Sequence, residues 1–327
     1  MPAIERRSAA RATVLAIGVA VASLMAACTP EPIGDAVVLD GLLTLSADED
    51  GAASLALWTA TSSDEVDIRE IALPGPATAW VSVGRASVLA ATLLDGTVHT
   101  SDPVDTRMSD DELADLDWRP VEATDPDGDE LAEPAWFATW DPEGGRYAAI
   151  TGDLPAGSEL GLTLVDPTTH GLLELTVDQP LLAAPPVWLD DDRVALIGGA
   201  TTEPTALIVD AATGAISAGP TGDRRIATSL DTEVVATSAG QGSSVDIAAA
   251  SAWLQGGDAS TGSIDAPDDD TTAISMALDR TGVRLAIVWV DRDGSVRLTV
   301  HDGTDGWRRV EDRPLEGVDA AAVAWLR

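Results

Sequence analysis

After position 36 the apolar residues fall in short runs broken by Asp-Gly, Gly-Gly, Thr-Gly and proline turns. No long stretch there carries the 3.6-residue period of an amphipathic helix. Short strands at even spacing predict an all-β sandwich, barrel or propeller. Repetition decides among these. Trp140-Asp141-Pro142-Glu143-Gly144-Gly145-Arg146-Tyr147-Ala148-Ala149-Ile150 shares its plan with Trp188-Leu189-Asp190-Asp191-Asp192-Arg193-Val194-Ala195-Leu196-Ile197, which is one residue shorter. Leu278-Asp279-Arg280-Thr281-Gly282-Val283-Arg284-Leu285-Ala286-Ile287-Val288 is a third copy, and 230–236 is a degenerate fourth. Each reads as a strand, an Asp/Gly turn, and a second strand that opens on an apolar-Ala step.

A second element follows downstream. Leu162-Thr163-Leu164-Val165-Asp166-Pro167 matches Ala206-Leu207-Ile208-Val209-Asp210-Ala211, and Leu298-Thr299-Val300-His301-Asp302-Gly303 repeats the plan. Each is an alternating strand ending in an Asp-initiated turn that closes on glycine, where positive φ is required. Two hairpins recurring every 40–50 residues or so make a four-stranded propeller blade. The blades are expected at 75–130, 131–181, 182–222, 223–268 and 269–318. Residues 37–74 supply only three strands, around 42–46, 54–59 and 66–73. The missing innermost strand is found at the other end, in Ala320-Ala321-Ala322-Val323-Ala324-Trp325-Leu326. The fold class is therefore a β-propeller of six four-stranded blades, closed by a C-terminal strand that completes the first blade and removes two open edges.

These repeats resemble those of TolB and of WD40-like (PD40) lipoproteins, whose signature is roughly W-S-P-D-G-x-x-[I/L]-A. Trp140 to Ile150 carries it best, with Asp141 and Glu143 substituting, and Asp279 to Ile287 carries its latter half. Gly282 to Val288 also looks like the propeller half of the actinobacterial lipoprotein LpqB, but that family has a further domain ahead of its propeller. The resemblance implies a fold rather than an activity. It further implies that a partner would be another envelope protein.

The amino terminus gives a cellular address. Arg6, Arg7 and Arg11 form a positive segment, and Ala12 to Met25 an apolar one, shorter than the roughly 20 residues a transmembrane helix needs. It ends in Leu24-Met25-Ala26-Ala27-Cys28, which resembles the bacterial lipobox with Met25 where Leu is commonest. The expected organisation is a lipoprotein signal peptide over 1–27, a lipidated cysteine and spacer over 28–36, and the propeller over 37–327. Cys28 is the only cysteine, so no internal disulfide is possible. A diacylglycerol on it brings two chains, enough for stable anchoring to the outer face of the cytoplasmic membrane.

Charge narrows the partners. The chain has 55 acidic and 19 basic residues, a formal charge of −36. Every basic residue is arginine, and lysine and asparagine are absent, as in a high-GC, actinobacterial genome. Such a surface repels phosphate backbones, so nucleic acid is not an expected partner. The candidate partner-binding feature is an insertion in the second blade. Ser109-Asp110-Asp111-Glu112 has capping-box spacing and precedes Leu113, Leu116 and Trp118, which reads as one or two helical turns on a propeller face.

Candidate chemistry is sparse. Trp80, Trp140, Trp188 and Trp325 sit near the first strand of a blade and are expected to pack between blades; Trp118, Trp253 and Trp307 fall in outer strands or loops and are expected to be more exposed. Asp125-Pro126-Asp127-Gly128-Asp129-Glu130 resembles a calcium loop, yet positions 6 and 12 of an EF-hand, Gly and Glu, are here Glu130 and Trp136. A solvated acidic turn is expected, and calcium is the only cofactor the pattern brings to mind. Asp48-Glu49-Asp50-Gly51 and Asp268-Asp269-Asp270 are weaker still. His99, His170 and His301 occur singly, the last two in expected hairpin turns. There is no G-x-S-x-G elbow. The leading expectation is a monomeric, non-enzymatic binding or scaffold lipoprotein that recognises an envelope protein through propeller loops. The alternatives are a carboxylate-dependent hydrolase, or a lipoprotein binding a divalent cation or solute at the channel mouth.

Overall fold

The computed structural model describes residues 35–326 except 49, 122–134, 153–159, 167–170, 176, 178–179, 183, 201–202, 230, 232, 240–242, 257–259, 269 and 319. The signal peptide, Cys28, the spacer up to residue 34, the 125–130 acidic loop and His170 lie outside the described residues. Six antiparallel sheets of four strands make up the molecule. Blade 2 runs from Thr78–Val83 to Trp118–Pro120, blade 3 from Ala135–Trp140 to Gly171–Leu175, and blade 4 from Val187–Trp188 to Ile216–Thr221. Blade 5 runs from Asp223–Thr228 to Ser260–Asp265, and blade 6 from Thr272–Leu278 to Arg308–Leu315. These lie within the expected blade limits.

Blade 1 is built from both ends of the propeller. Ala320–Trp325 is its innermost strand and pairs antiparallel with Leu42–Ala47, from Leu42 opposite Trp325 to Ala47 opposite Ala320. Ala53–Ala60 and Val66–Ile71 complete the sheet. The innermost strands touch in the order blade 1 through 6 and back to 1, which closes the ring. One helical turn, Asp35–Leu39, precedes blade 1; its Val38 and Leu39 are buried beside Trp58 and Trp325.

The burial pattern explains the sequence pattern. Second strands are covered on both faces by neighbouring blades, so Tyr147–Thr151 is buried throughout and Arg284–Val290 is buried at all but its ends. The alanines of the apolar-Ala step lie here: Ala90, Ala148, Ala195, Ala236 and Ala286 are all 0–1% exposed. Near the axis the wedge between blades is narrow, and a small side chain fits where a larger one would force the sheets apart. Outer strands meet water, as Val66–Ile71 shows, where only Ile71 is fully buried.

Tryptophans at the end of the innermost strand join blades, as expected. The Trp188 indole donates to the Thr139 carbonyl of blade 3 at 2.9 Å, and that of Trp325 to the Ala277 carbonyl of blade 6 at 3.0 Å. In each case the preceding blade supplies a buried aspartate and an arginine. Asp279 (2% exposed) accepts the Val283 and Arg284 amides on one oxygen and the Arg284 guanidinium at 2.9 Å on the other. Arg284 in turn lies 4.6 Å over the Trp325 ring. Asp141 (3% exposed) and Arg146 repeat this beneath Trp188, with the guanidinium 5.4 Å from the ring.

Three expectations need correction. The insertion of blade 2 does not sit on a face of the ring: it runs along the outer edge of blade 1. There the Ala72 amide donates to the Leu113 carbonyl (3.0 Å), Arg69 donates to the carbonyls of Thr106 and Met108, and Leu113 and Leu116 enter the blade 1 core. An otherwise open sheet edge draws the segment in. His301 is in no turn; it lies within Val296–Asp302, 5% exposed, in a strand whose end is buried on both faces. Trp253 is buried, on a helical turn (Ala250–Leu254) that packs between blades 4 and 5, while Trp118 and Trp307 are half-buried.

Candidate binding site in the central channel

The innermost strands line a channel along the ring axis, and they are not straight. The strands of blades 2, 3, 5 and 6 each carry a register shift near their first third, between Thr78 and Trp80, Trp136 and Thr139, Asp223 and Arg225, and Ala273 and Ser275. A bulge turns a side chain that would otherwise enter the sheet interface. Phe137, at φ +54°, marks the bulge of blade 3, and its ring meets Trp80 edge-to-face at 5.8 Å. Trp80 thus meets the next blade, as expected, and lines the channel as well.

The channel has two parts. The wide mouth, about 140 Å³, lies at the ends of the innermost strands and is lined by Trp140, Trp188 and Trp325 with Thr139, Thr228, Leu278, Met276 and Arg280. Arg280 stands at its rim, held by Asp231 at 2.7 Å. A smaller recess of about 30 Å³ opens towards the strand beginnings, lined by Trp80, Ile226, Ile274, Ser275, Arg224 and Arg225 among others. Trp80, Ile226 and Met276 line both and form the waist between them.

Among the described residues no carboxylate lines either cavity. A hydrolase or a cation site at the channel mouth would need carboxylates there, and none of the described ones lines it. The acids are on the rim instead. Asp190, Asp191 and Asp192 crowd near Glu143 and Asp141; partial desolvation first, then these neighbouring charges, raises the Asp191 carboxyl above the usual range. Among the described residues no cluster of His, Cys, Asp and Glu has the makings of a metal site.

Inside the recess the charge is reversed. The Arg225 guanidinium donates Nε to the Ile274 carbonyl (2.9 Å) and Nη1 to the Arg224 carbonyl (2.9 Å), with no carboxylate partner among the described residues. Burial, then the Arg224 charge, lowers its pKa. The Trp80 indole N–H is buried without a partner. Ser275 accepts the Val323 amide at 3.2 Å, which leaves its own hydroxyl proton to donate elsewhere. Of these residues the repeat pattern singles out Trp80 alone; the signal for the rest was Arg224-Arg225 at the start of an innermost strand in so acidic a chain.

The predicted insertion gives little to a partner from its cap. Ser109 and Glu112 are taken up by a full capping box, with Ser109 N donating to Glu112 Oε2 at 2.7 Å and Glu112 N to Ser109 Oγ at 3.3 Å. Asp110 lies 3.7 Å from Arg69. The Trp118 indole donates to the Ala72 carbonyl at 2.7 Å. Asp111 is exposed.

No protein-family model matches the sequence, and no curated protein matches it. Solved structures do. TolB from Acinetobacter baumannii aligns at 10% identity with a TM-score of 0.60, over 86% of this chain and 66% of that one. This is the six-bladed propeller fold of TolB. A candidate TolB from Agrobacterium tumefaciens aligns at 11% identity and TM-score 0.54, over 83% and 88% of the two chains. A chain of the nidogen/laminin complex aligns at 9% and 0.54, over 86% and 98%. At these identities the TolB likeness is one of fold, and this chain spans just under two thirds of the Acinetobacter TolB. The partial likeness to LpqB rests on the sequence of 282–288 alone. Among the described residues no helix is long and apolar enough to cross a membrane.

Proposed function

We propose that the chain is a lipoprotein of the cell envelope, tethered through diacylglycerol on Cys28, that acts by binding a protein partner rather than by catalysis. The observation that carries the binding reading is the channel: a closed ring with a wide, tryptophan-lined mouth and a charged rim. Such a mouth offers apolar area with a few fixed polar groups, the usual make-up of a recognition site. The TolB fold and the sequence of 1–28 both agree with an extracytoplasmic address, on the outer face of the cytoplasmic membrane. The lipid confines the search to that surface. The exposed acidic ridge of the insertion, Asp110 and Asp111, is the second candidate contact surface.

The test has two parts. Full-length protein is expected in the membrane fraction with an acylated Cys28, and a Cys28→Ala variant in the soluble fraction. Crosslinking in intact cells is expected to capture a discrete envelope protein, lost on Arg280→Glu at the mouth. An unmodified Cys28 sinks the anchoring reading. Capture unchanged by Arg280→Glu but lost on Asp111→Arg moves the contact from the mouth to the outer edge. No capture at all sinks the binding reading.

A further inference from the structure

The segment that leads back to Cys28 is fastened beside the wide mouth. Leu42 starts blade 1 opposite Trp325, at the mouth end of the ring, and Trp325 lines the mouth. The helical turn before it, Asp35–Leu39, packs Val38 and Leu39 against Trp58 and Trp325. Two hydrogen bonds hold its exit. Arg284, which lies over the Trp325 ring, donates Nη1 to the Asp40 carbonyl, and the Ala60 amide donates to the Asp40 carboxylate, both at 2.9 Å. Asp35 therefore lies on the mouth face, at the seam between blades 6 and 1. Six residues, Thr29 to Gly34, separate it from Cys28. Whatever path they take, seven residue steps span at most about 25 Å. The ring is deeper than that: the seven residues of Arg284–Val290 make about 23 Å of strand, and turns stand beyond both ends. A lipid on Cys28 thus reaches the bilayer from the mouth end, and the ring cannot stand on its other end.

We propose that the tether opens the wide mouth onto the membrane surface, and that the mouth takes an apolar side chain from a membrane-embedded protein. This rests on the anchoring and binding readings above and names the kind of partner they leave open. The partner's segment must stand within the tether's reach, about 25 Å of the outer surface. The mouth, about 140 Å³, is of a size to hold one benzene-sized group, so a single aromatic or branched side chain fills it as an anchor. Asp190, Asp191 and Asp192, with Glu143 near them, repel anionic headgroups. The mouth accordingly stands off the lipid, and a protein segment is its occupant. Holding both partners to one surface within a short radius raises their effective concentration, so a small contact suffices.

The experiment uses the full acylated chain. Cys28 is the only cysteine, so once it carries the lipid an added cysteine is the one free thiol. A spin label is placed at Asp192→Cys, exposed in a turn at the mouth end, or at Arg292→Cys, exposed in a turn at the other end. The vesicles are phosphatidylcholine and phosphatidylglycerol with a nickel-chelating lipid. Relaxation of the label at 192 is expected to be enhanced several-fold over that at 292. In intact cells, a diazirine analogue of methionine at Met276, in the mouth wall, is expected to capture a membrane-embedded protein. Adding about 20 Gly/Ser residues between Gly34 and Asp35 lets the ring turn over, and is expected to lower that capture several-fold with acylation unchanged. An unmodified Cys28 brings down the anchoring and this inference with it. An acylated protein whose two labels relax alike, or in the reverse order, leaves the anchoring standing and overturns the orientation. Capture of lipid, no capture at all, or capture indifferent to the longer spacer overturns the partner.

Discussion

The seams between blades are not alike. At the seams between blades 6 and 1 and between blades 3 and 4, which lie opposite each other in the ring, a buried aspartate fixes a hairpin and an arginine. The arginine covers a tryptophan of the next blade, and the tryptophan donates back to a carbonyl. At the seam between blades 4 and 5, Leu189 stands where the aspartate would be and Thr228 where the tryptophan would be. The innermost strands there are tied by one hydroxyl hydrogen bond, from Thr228 to the Trp188 carbonyl at 2.7 Å. The seam between blades 2 and 3 has the tryptophan without the other two residues. Trp140 lies flat on Gly84, where a Cβ would come within 2.7 Å of its ring, and its indole N–H is buried without a partner. Gly144 fits the same seam from the other side: a Cβ there would lie 2.6 Å from the Arg85 backbone nitrogen. The repeat signature thus encodes a joint between blades as much as a turn within one. Where the joint is incomplete, close backbone contact or core packing replaces it.

The largest expected effect comes from removing the joint that also closes the ring. Deleting residues 320–327 strips blade 1 of its innermost strand and leaves the edge of Leu42–Ala47 bare. Loss of cooperative unfolding and concentration-dependent aggregation are expected by circular dichroism and light scattering. Trp325→Ala keeps the strand and empties its buried tryptophan site, which costs about 3–5 kcal/mol in denaturant titrations. Asp279→Ala leaves two hairpin amides and the part-buried Arg284 without their acceptor, at a cost of about 3 kcal/mol. Asp141→Ala should follow it at the opposite seam. Thr228→Val, at the plainer seam, is expected to cost only about 1 kcal/mol. Equal losses at Asp279 and Thr228 would erase the distinction drawn between seams.

A pH effect sharpens the contrast from outside the seams. Burial holds the His301 imidazole below its ordinary pKa, against a smaller opposing contribution from its contact with the Trp307 carbonyl. The unfolded chain then takes up the proton first. The stabilisation from His301 is complete above about pH 6.5 and shrinks as pH falls from there toward the depressed folded value. In His301→Gln this segment of the stability–pH curve is expected to flatten.

Much of the ring could be read from the residues. Alternating strands, Asp-Gly turns and the apolar-Ala step repeat because every blade is packed between two others. The lone strand at 320–326 could be assigned because residues 37–74 were one strand short. What could not be read depends on where a segment docks. The Ser109–Glu112 cap identifies a helical turn, and the structure bears it out, but only the contact of Leu113 and Leu116 with blade 1 takes that turn to the outer edge. The channel chemistry was hidden for a related reason. A bulge moves a side chain from one face of a strand to the other, and no spacing rule marks the bulges beside Trp80 and Arg225. The overall acidity pointed to carboxylates in the channel, whereas the lining is apolar and basic.

Ring closure by the last strand is the claim on which the seams, the channel and its recess all depend, and hydrogen exchange of the full chain reads it directly. Amides of Ala320–Trp325 and Leu42–Ala47 should exchange as slowly as those of Arg284–Val290 in the middle of blade 6. Rapid exchange of the C-terminal strand, with blade 6 still protected, would contradict it.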